Sequence, residues 1–202
     1  MDRRLLQAAI SGDSKSMQAM ASQDAGVLLR ATPQGNTCLH ISCAHGHEGF
    51  CRDVLVLNQS LLSKVNSDRE TPLVAAVMAG HASLASVLLG CCCTLGLREV
   101  ILQQDKDSCN ALHHAINYNH KDLAMELIAA EPSLSQGVNK YGESCMFMAA
   151  MRDFPDIVAK LLEIPGSAHQ GTYGHNALHA AARNGNAGKT TKSWFFLDRL
   201  LQ

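Results

Sequence analysis

The sequence predicts an all-α fold, a solenoid of about six helix–turn–helix repeats joined by hairpin-like loops. Six segments of eleven residues align without gaps, and their starts are 34, 34, 39, 34 and 32 residues apart. Such a regular period indicates one supersecondary unit repeated in series. Aromatic residues make up only 4% of the chain, while alanine and leucine supply much of its apolar content. That balance favours closely packed small helices over strands.

Each aligned segment has the features of a short helix with a defined start. The segments are RRLLQAAISGD from residue 3, TCLHISCAHGH from 37, TPLVAAVMAGH from 71, NALHHAINYNH from 110, SCMFMAAMRDF from 144 and NALHAAARNGN from 176. The first column can cap a helix start in five of the six, through the side-chain oxygens of Thr37, Thr71, Asn110, Ser144 and Asn176. The third column predicts buried positions at Leu5, Leu39, Leu73, Leu112, Met146 and Leu178.

The tenth column predicts where each first helix ends. Its residues all tolerate a left-handed backbone: Gly12, Gly46, Gly80, Asn119, Asp153 and Gly185. A second helix with one apolar face is predicted after each stop, for example through Leu84, Val87 and Leu88. Turn-rich stretches such as VNSDRE and VNKYGE then connect one repeat to the next.

These motifs resemble those of the ankyrin repeat. The T-P-L-H tetrapeptide of that family is matched in part by TCLH, TPLV and NALH, and the glycine-histidine that follows by HGH and AGH. The resemblance covers about residues 1–186. The linkers AEPSLSQGVNKYGES and IPGSAHQGTYGHNALHAAARNGN are similar to those of plant ankyrin proteins of the accelerated-cell-death type. This resemblance implies a role in defence signalling and relatives anchored by membrane-spanning helices.

The repeats define the predicted domain organisation. An ankyrin-repeat domain is expected over 1–186, with repeats near 1–32, 33–66, 67–105, 106–139, 140–171 and 172–202, the last irregular. The segment 187–202 is expected to be an atypical cap or a truncated end. The 39-residue spacing between the third and fourth segments predicts a longer loop or an extended second helix.

Charge and motif content exclude several function classes. Lysine and arginine total 17 against 18 acidic residues, so no basic field is available to bind a nucleic acid. Neither a signal peptide nor a membrane-spanning segment is predicted in this chain, which favours the cytoplasm. No nucleophile motif, P-loop or zinc-protease motif occurs, so the chain is expected to be neither an enzyme nor a cofactor-binding protein.

Ten histidines raise the question of metal chemistry. Six of them recur at two columns of the repeat: His40, His113, His179, His47, His81 and His120. In ankyrin repeats the fourth-column imidazole bonds to the helix-start side chain and to nearby loop backbone, so these six are interpreted as architectural. The triplet Cys91–Cys93 lacks the spacing of a zinc site and is interpreted as small buried side chains. No metal ligand is therefore predicted.

A stack of repeats offers first helices and loop tips to a partner. The predicted partner-binding residues, with tyrosine and arginine favoured as interface anchors, are Arg69, His45, Met78, His114, Asn117, Tyr118, Lys140, Tyr141, Arg152, Tyr173 and Arg183. The function predicted from this is a non-enzymatic module that binds another protein.

Two alternatives remain open at this point. The chain could be a truncated fragment of a membrane-anchored relative without independent activity, self-associating through Trp194, Phe195 and Phe196. It could instead be a metal- or redox-responsive protein that uses its histidines and Cys91–Cys93.

Overall fold

Residues 1–185 are described by a computed structural model, in which they form two compact halves. The N-terminal half is Met1–Lys106, and the C-terminal half begins at Asp107. Every regular element over the described residues is a helix, and the pairing between loop segments is limited to isolated bridges. The prediction of an all-α fold with hairpin-like loops is confirmed. The predicted aromatic self-association surface and the atypical segment 187–202 lie outside the described residues.

The N-terminal half contains three repeats. Its α-helices are α1 (Arg3–Ser11), α2 (Ser14–Gln23), α3 (Cys38–Ala44), α4 (Glu48–Leu57), α5 (Pro72–Met78), α6 (Ala82–Thr94) and α7 (Arg98–Leu102). The first helices α1, α3 and α5 pack side by side. Each packs against the second helix of its own repeat, which is α2, α4 or α6.

The C-terminal half repeats this arrangement. Its α-helices over the described residues are α8 (Ala111–Asn117), α9 (Lys121–Ala130), α10 (Cys145–Met151), α11 (Pro155–Leu162) and α12 (Ala177–Gly185). The first helices α8, α10 and α12 pack in a row, while α9 and α11 pack against each other behind them. In both halves, therefore, the first helices form one layer and the second helices another.

The helix starts agree with the predicted caps. The side-chain oxygens of Thr37, Thr71, Asn110 and Ser144 each accept a hydrogen bond from the backbone N–H three residues later. Such a cap stabilises a helix by about 1 kcal/mol. In the first repeat the cap is Asp2, whose carboxylate accepts from a backbone N–H at 2.7 Å.

The helix ends also agree with prediction, and they explain the glycine-histidine motif. Gly46 has φ of +75°, and Gly12 has φ of +72°. A Cβ added to Gly46 would lie only 2.5 Å from Cε1 of His81, which belongs to the next repeat. Its Nε2 is hydrogen-bonded to the Ala44 carbonyl at 3.3 Å. His47 lies against Gly12 in the same way, so each glycine gives both a left-handed turn and space for the following histidine.

In three of the repeats the second helix is followed by a short 3-10 helix, which the sequence did not predict. These helices are Ala25–Leu29, Gln59–Ser63 and Pro132–Gln136. A side chain caps each one, from Asp24, Asn58 and Glu131, respectively. Two buried leucines in the second of them, Leu61 and Leu62, show that these turns close the core beneath the helices.

The third repeat differs because of its extra residues. Its second helix α6 has 13 residues where α4 has 10, and the short α-helix α7 then takes the place of the 3-10 turn. Val100 and Ile101 of α7 are buried. The long spacing thus extends the second helix, one of the two outcomes expected from the sequence.

The core column is buried as predicted, while the cysteine triplet is not uniformly so. The third-column residues from the first five repeats are at most 3% exposed: Leu5, Leu39, Leu73, Leu112 and Met146. Leu178 is half-buried. In the triplet, Cys92 is buried, Cys91 is half-buried and Cys93 is exposed. The expectation that all three are buried is wrong, because consecutive residues on a helix point in different directions.

Candidate interaction surface

The hairpin loops of two repeats are held by one motif. In the loop before α5, Asn66 Oδ1 accepts hydrogen bonds from two backbone N–H groups, and its Nδ2 donates to Glu70 Oε2 at 2.7 Å. Asn139 and Glu143 make the same set of contacts in the loop before α10. Both loops have the sequence pattern V-N-x-x-x-E, as VNSDRE and VNKYGE, and this pattern predicts the shared loop structure. Hydrogen bonds within each loop therefore hold the residues at its tip in position.

The loop tips are also tied to the preceding loops by paired backbone and side-chain contacts. Within the N-terminal half, Lys106 N donates to Asp68 O at 2.8 Å, and Lys106 Nζ meets Asp68 Oδ1 at 2.7 Å. Within the C-terminal half, Lys140 pairs with Asp107 in the same two ways, with Nζ at 2.6 Å from Oδ1. The hydrogen bond to Asp107 raises the pKa of Lys140 above its ordinary value. The predicted partner contact Lys140 thus already holds an internal ion pair.

The fourth-column histidine His40 is fixed by three contacts. Its Nδ1 lies 2.8 Å from Thr37 Oγ1 and accepts from the Thr37 backbone N–H at 3.3 Å. Its Nε2 lies 3.0 Å from the Glu70 carbonyl, which can only accept. The ring is therefore neutral, with its hydrogen on Nε2. Burial lowers the pKa of His40, which also favours the neutral form.

His113 occupies the same column with a different cap. Its Nδ1 lies 2.9 Å from Asn110 Oδ1. The orientation of that amide is set because Asn110 Nδ2 donates to the Leu134 carbonyl at 2.9 Å. The backbone N–H of Asn110 also donates to His113 Nδ1, at 3.4 Å. His179 meets Asn176 Oδ1 at 2.8 Å in the same manner, so the architectural interpretation of this column is confirmed.

In the fifth repeat a phenylalanine replaces this histidine, and the next loop changes with it. A Cβ on Gly171 would lie 2.2 Å from the ring of Phe147. Gly171 stands five residues before its helix cap, where Asn66 and Asn139 stand in the other loops. The aromatic ring fills the space that the asparagine side chain otherwise occupies, so the two substitutions are coupled by packing.

The predicted partner-binding residues of the N-terminal half are accessible to different degrees. His45 is exposed after α3, and its ring stacks on that of His47 with centroids 6.1 Å apart. Arg69 is exposed at a loop tip with φ of +63°. Met78, the last residue of α5, is only half-buried. All three lie at first-helix ends or loop tips, where the sequence places them.

The C-terminal half exposes more of the predicted set. The exposed members are Asn117, Tyr118, Tyr141, Lys140, Arg152, Tyr173 and Arg183. Tyr173 is 97% exposed at the tip of its loop. The expectation that His114 is similarly free is wrong: it is only 8% exposed. Its ring lies one helical turn from that of Tyr118, with centroids 6.3 Å apart.

Tyr118 and Arg152 occupy central positions among these residues. Tyr118, which is 43% exposed, is flanked by the rings of His114 and His120, with centroids 6.3 and 6.4 Å away. Arg152, just after α10, donates from Nη2 to Asn117 Oδ1 at the end of α8. This bond links the first helices of two neighbouring repeats and fixes the direction of the guanidinium group.

The cysteines bear on the redox alternative. Cys43 and Cys51 bring their sulfur atoms within 3.7 Å of each other between α3 and α4, and both are buried. Burial raises the pKa of Cys43 well above its usual range. The hydrogen bond with Cys43 lowers the pKa of Cys51, but burial of both thiols keeps them away from reagents in solution. Among residues 1–185, no helix has the length and apolar character needed to cross a bilayer.

Comparison with known proteins gives curated relatives much longer than this chain. Protein ACCELERATED CELL DEATH 6 of Arabidopsis thaliana is 25% identical over 165 residues, which cover 76% of this chain and 24% of that protein. The Transient receptor potential cation channel subfamily A member 1 homolog of Caenorhabditis elegans is 26% identical over 159 residues, covering 79% of this chain and 12% of that protein. The chain thus spans at most about a quarter of either relative's length.

Solved structures have the same fold. The human ASB11 ankyrin repeat domain matches with a TM-score of 0.70 and 25% identity, over 98% of this chain and 84% of that one. A chain from the Bd0816 predatory endopeptidase of Bdellovibrio bacteriovorus in complex with immunity protein Bd3460 matches with a TM-score of 0.70 and 20% identity, over 98% of both chains. A family model described as ankyrin repeats, in three copies, matches residues 5–96 and 92–169. Together with the capped helix pairs and hairpin loops above, this match shows that the chain belongs to the ankyrin-repeat family.

Proposed function

We propose that the chain is a non-enzymatic interaction module that binds another protein through its first helices and hairpin loops. Ankyrin repeats in general serve as protein-interaction modules. The observation that carries the proposal here is the set of exposed tyrosine and arginine side chains at the first-helix ends and loop tips of the C-terminal half. These residue types are the ones that most often anchor protein interfaces.

The repeat architecture supports this use of the surface. Caps, stop residues and loop asparagines satisfy their hydrogen bonds within the repeats, so the exposed side chains are not needed to complete the fold. A rigid platform also lowers the entropy cost of binding, because its side chains start from a defined position. Arg152, held by Asn117, is the clearest example.

The similarity to the Arabidopsis protein suggests a biological setting. The proposal is that this module serves plant defence or cell-death signalling in the cytoplasm, as the repeat region of a longer or related protein. All eight cysteines are free thiols, which supports a reducing compartment. A truncated fragment without activity is the competing proposal, and partner binding by the chain itself separates the two.

Affinity purification with the full chain and a paired variant tests the function. The bait is wild type or a variant with Tyr118→Ala and Arg152→Ala, and captured proteins are identified by mass spectrometry. A true partner is expected to lose roughly tenfold or more in affinity when two interface anchors are removed. Far-UV circular dichroism must show unchanged helicity, since both side chains are exposed.

The control variant is Val56→Ala, on the second-helix layer. Val56 is 84% exposed near the end of α4, which is a second helix. It is expected to retain the partner fully. Loss of the partner in this control, or its full retention in the double variant, would refute the assignment of the binding surface.

A further inference from the structure

We infer that the segment recognised by the C-terminal half is acidic: a stretch of another protein rich in aspartate and glutamate. This inference rests on the proposed interaction function and adds the chemistry of the partner. It follows from the distribution of charge between the two helix layers, from the pairing of the basic residues, and from the position of one arginine.

The two helix layers of the C-terminal half differ in their carboxylates, while the second helices also carry Lys121 and Lys160. The first helices α8, α10 and α12 contain no aspartate or glutamate. The second helices carry three carboxylates, at Asp122, Glu126 and Asp156. Arg183 lies in the last turn of α12 and Arg152 directly follows α10. A partner that approaches the first helices therefore meets two guanidinium groups, with Asp153 in the turn after α10 as the adjacent carboxylate.

These two arginines also lack an ion pair, unlike several other cations of the described chain. Six lysines and arginines form ion pairs there: Arg4, Arg30, Arg52, Lys106, Lys140 and Lys160. Over residues 1–185, neither Arg152 nor Arg183 has a carboxylate within ion-pair distance. A guanidinium group binds a carboxylate through two parallel N–H donors, which makes an acidic side chain its best-matched partner.

The contact with Asn117 prepares Arg152 for this role. It occupies one donor of Nη2 and leaves most of the five N–H groups of the guanidinium available. Because the side chain is already ordered, less rotamer entropy is lost when a carboxylate binds. Tyr118 follows Asn117 directly and exposes a ring on which the backbone and methylene groups of an acidic segment can pack.

A purely structural role makes a different prediction. Cations at the end of a helix stabilise its dipole by up to about 1 kcal/mol, and Asp153 is adjacent to Arg152 in the turn. If that were the whole role, removing the arginines would lower stability and leave binding unchanged. The experiment therefore has to measure binding directly.

Fluorescence anisotropy of the full chain with a labelled oligoglutamate peptide, and with an oligoglutamine peptide of equal length, makes this measurement. The expected result is binding of oligoglutamate alone, weakened by added salt because exposed charges are screened. The variant Arg152→Gln with Arg183→Gln is expected to weaken it roughly tenfold, or about 1.4 kcal/mol. Asn117→Ala should give a smaller loss. Lys160→Gln, which removes a charge from α11 in the same repeat as Arg152, should have no effect.

The inference is overturned if oligoglutamate does not bind, if oligoglutamine binds equally well, or if the double arginine variant binds oligoglutamate like wild type. Equal weakening by Lys160→Gln would also overturn it, since that result indicates attraction to any positive charge. A partner whose capture is lost on Tyr118→Ala but is unaffected by the arginine substitutions would refute the acidic chemistry and leave the interaction function intact. Absence of any such partner would count against the function itself.

Discussion

Substitution of Gly46 by alanine tests whether the glycine-histidine motif acts through packing between repeats. At φ of +75°, an added Cβ costs about 1–2 kcal/mol in backbone strain. The new atom would also lie 2.5 Å from His81 Cε1, so the ring has to move by about 1 Å to reach ordinary contact distance. Such overpacking costs about 1–3 kcal/mol. Displacing the ring breaks its 3.3 Å hydrogen bond to the Ala44 carbonyl, which contributes about 0.5–1 kcal/mol.

Alanine also reduces the entropy of the unfolded chain, which offsets about 0.4–1 kcal/mol of this loss. The net expectation for Gly46→Ala is a decrease of about 2–4 kcal/mol in the free energy of unfolding. Gly96→Ala is the matched control, because Gly96 has φ of +66° and a Cβ there would have no neighbour within 4 Å. It carries the strain without the collision and should cost only about 1 kcal/mol.

Urea unfolding followed by far-UV circular dichroism measures both values. Hydrogen exchange in α3 and α5 then locates the loss, because repeat proteins can open one repeat at a time. Adding His81→Ala to each glycine variant completes the test: without the imidazole, Gly46→Ala should cost no more than Gly96→Ala. Equal losses of unfolding free energy for Gly46→Ala and Gly96→Ala would refute the packing explanation. So would a difference between them that persists when His81→Ala is also present.

Four further outcomes are expected. In native protein, iodoacetamide should label the exposed Cys93 rapidly and spare its neighbour Cys92, because burial raises the pKa of Cys92 to about 12; comparable labelling of both would show that α6 is frayed. In nitrogen-15 NMR of the rings, His40 should carry its hydrogen on Nε2, and a hydrogen on Nδ1 would contradict the hydrogen-bond assignment. Since burial lowers the pKa of His40, its contribution to the free energy of unfolding should fall as pH drops below the unfolded-state pKa of about 6.5, and this drift should be weaker in His40→Gln. Gly171→Ala should cost about 1–3 kcal/mol by overpacking alone, since its φ is extended, and a neutral effect in thermal unfolding would mean that the facing ring can move away.

The parts of the fold that depend on local chemistry could be predicted from the sequence. Thr37 and Asn110 cap helices because a side-chain oxygen reaches the free N–H groups of the first turn. Gly46 ends a helix because only a few residues adopt a left-handed backbone readily. Each of these rules acts within a few residues and leaves the same mark at every repeat, so alignment of the chain with itself reveals it.

The features that depend on contacts between repeats were harder to anticipate. Nothing in the local sequence around Gly171 requires glycine at its extended φ; the reason is the ring of Phe147 from the preceding repeat. Pairing of Lys140 with Asp107 joins two loops 33 residues apart. Such contacts become visible only when neighbouring repeats are placed side by side.

Because the contacts that hold each repeat together lie away from the exposed helix ends, residues at those ends can change without destabilising the fold. His40 and His113 each bond to the cap of their own helix, so these contacts are satisfied within the repeat. Tyr118 and Arg152 lie just beyond those columns, at helix ends where side chains contribute little to the core. Substitution at such exposed positions usually changes stability by less than about 0.5 kcal/mol. Binding chemistry can therefore vary at these residues while the glycines, caps and histidines stay as they are, and the proposed acidic partner is expected to be lost without loss of stability.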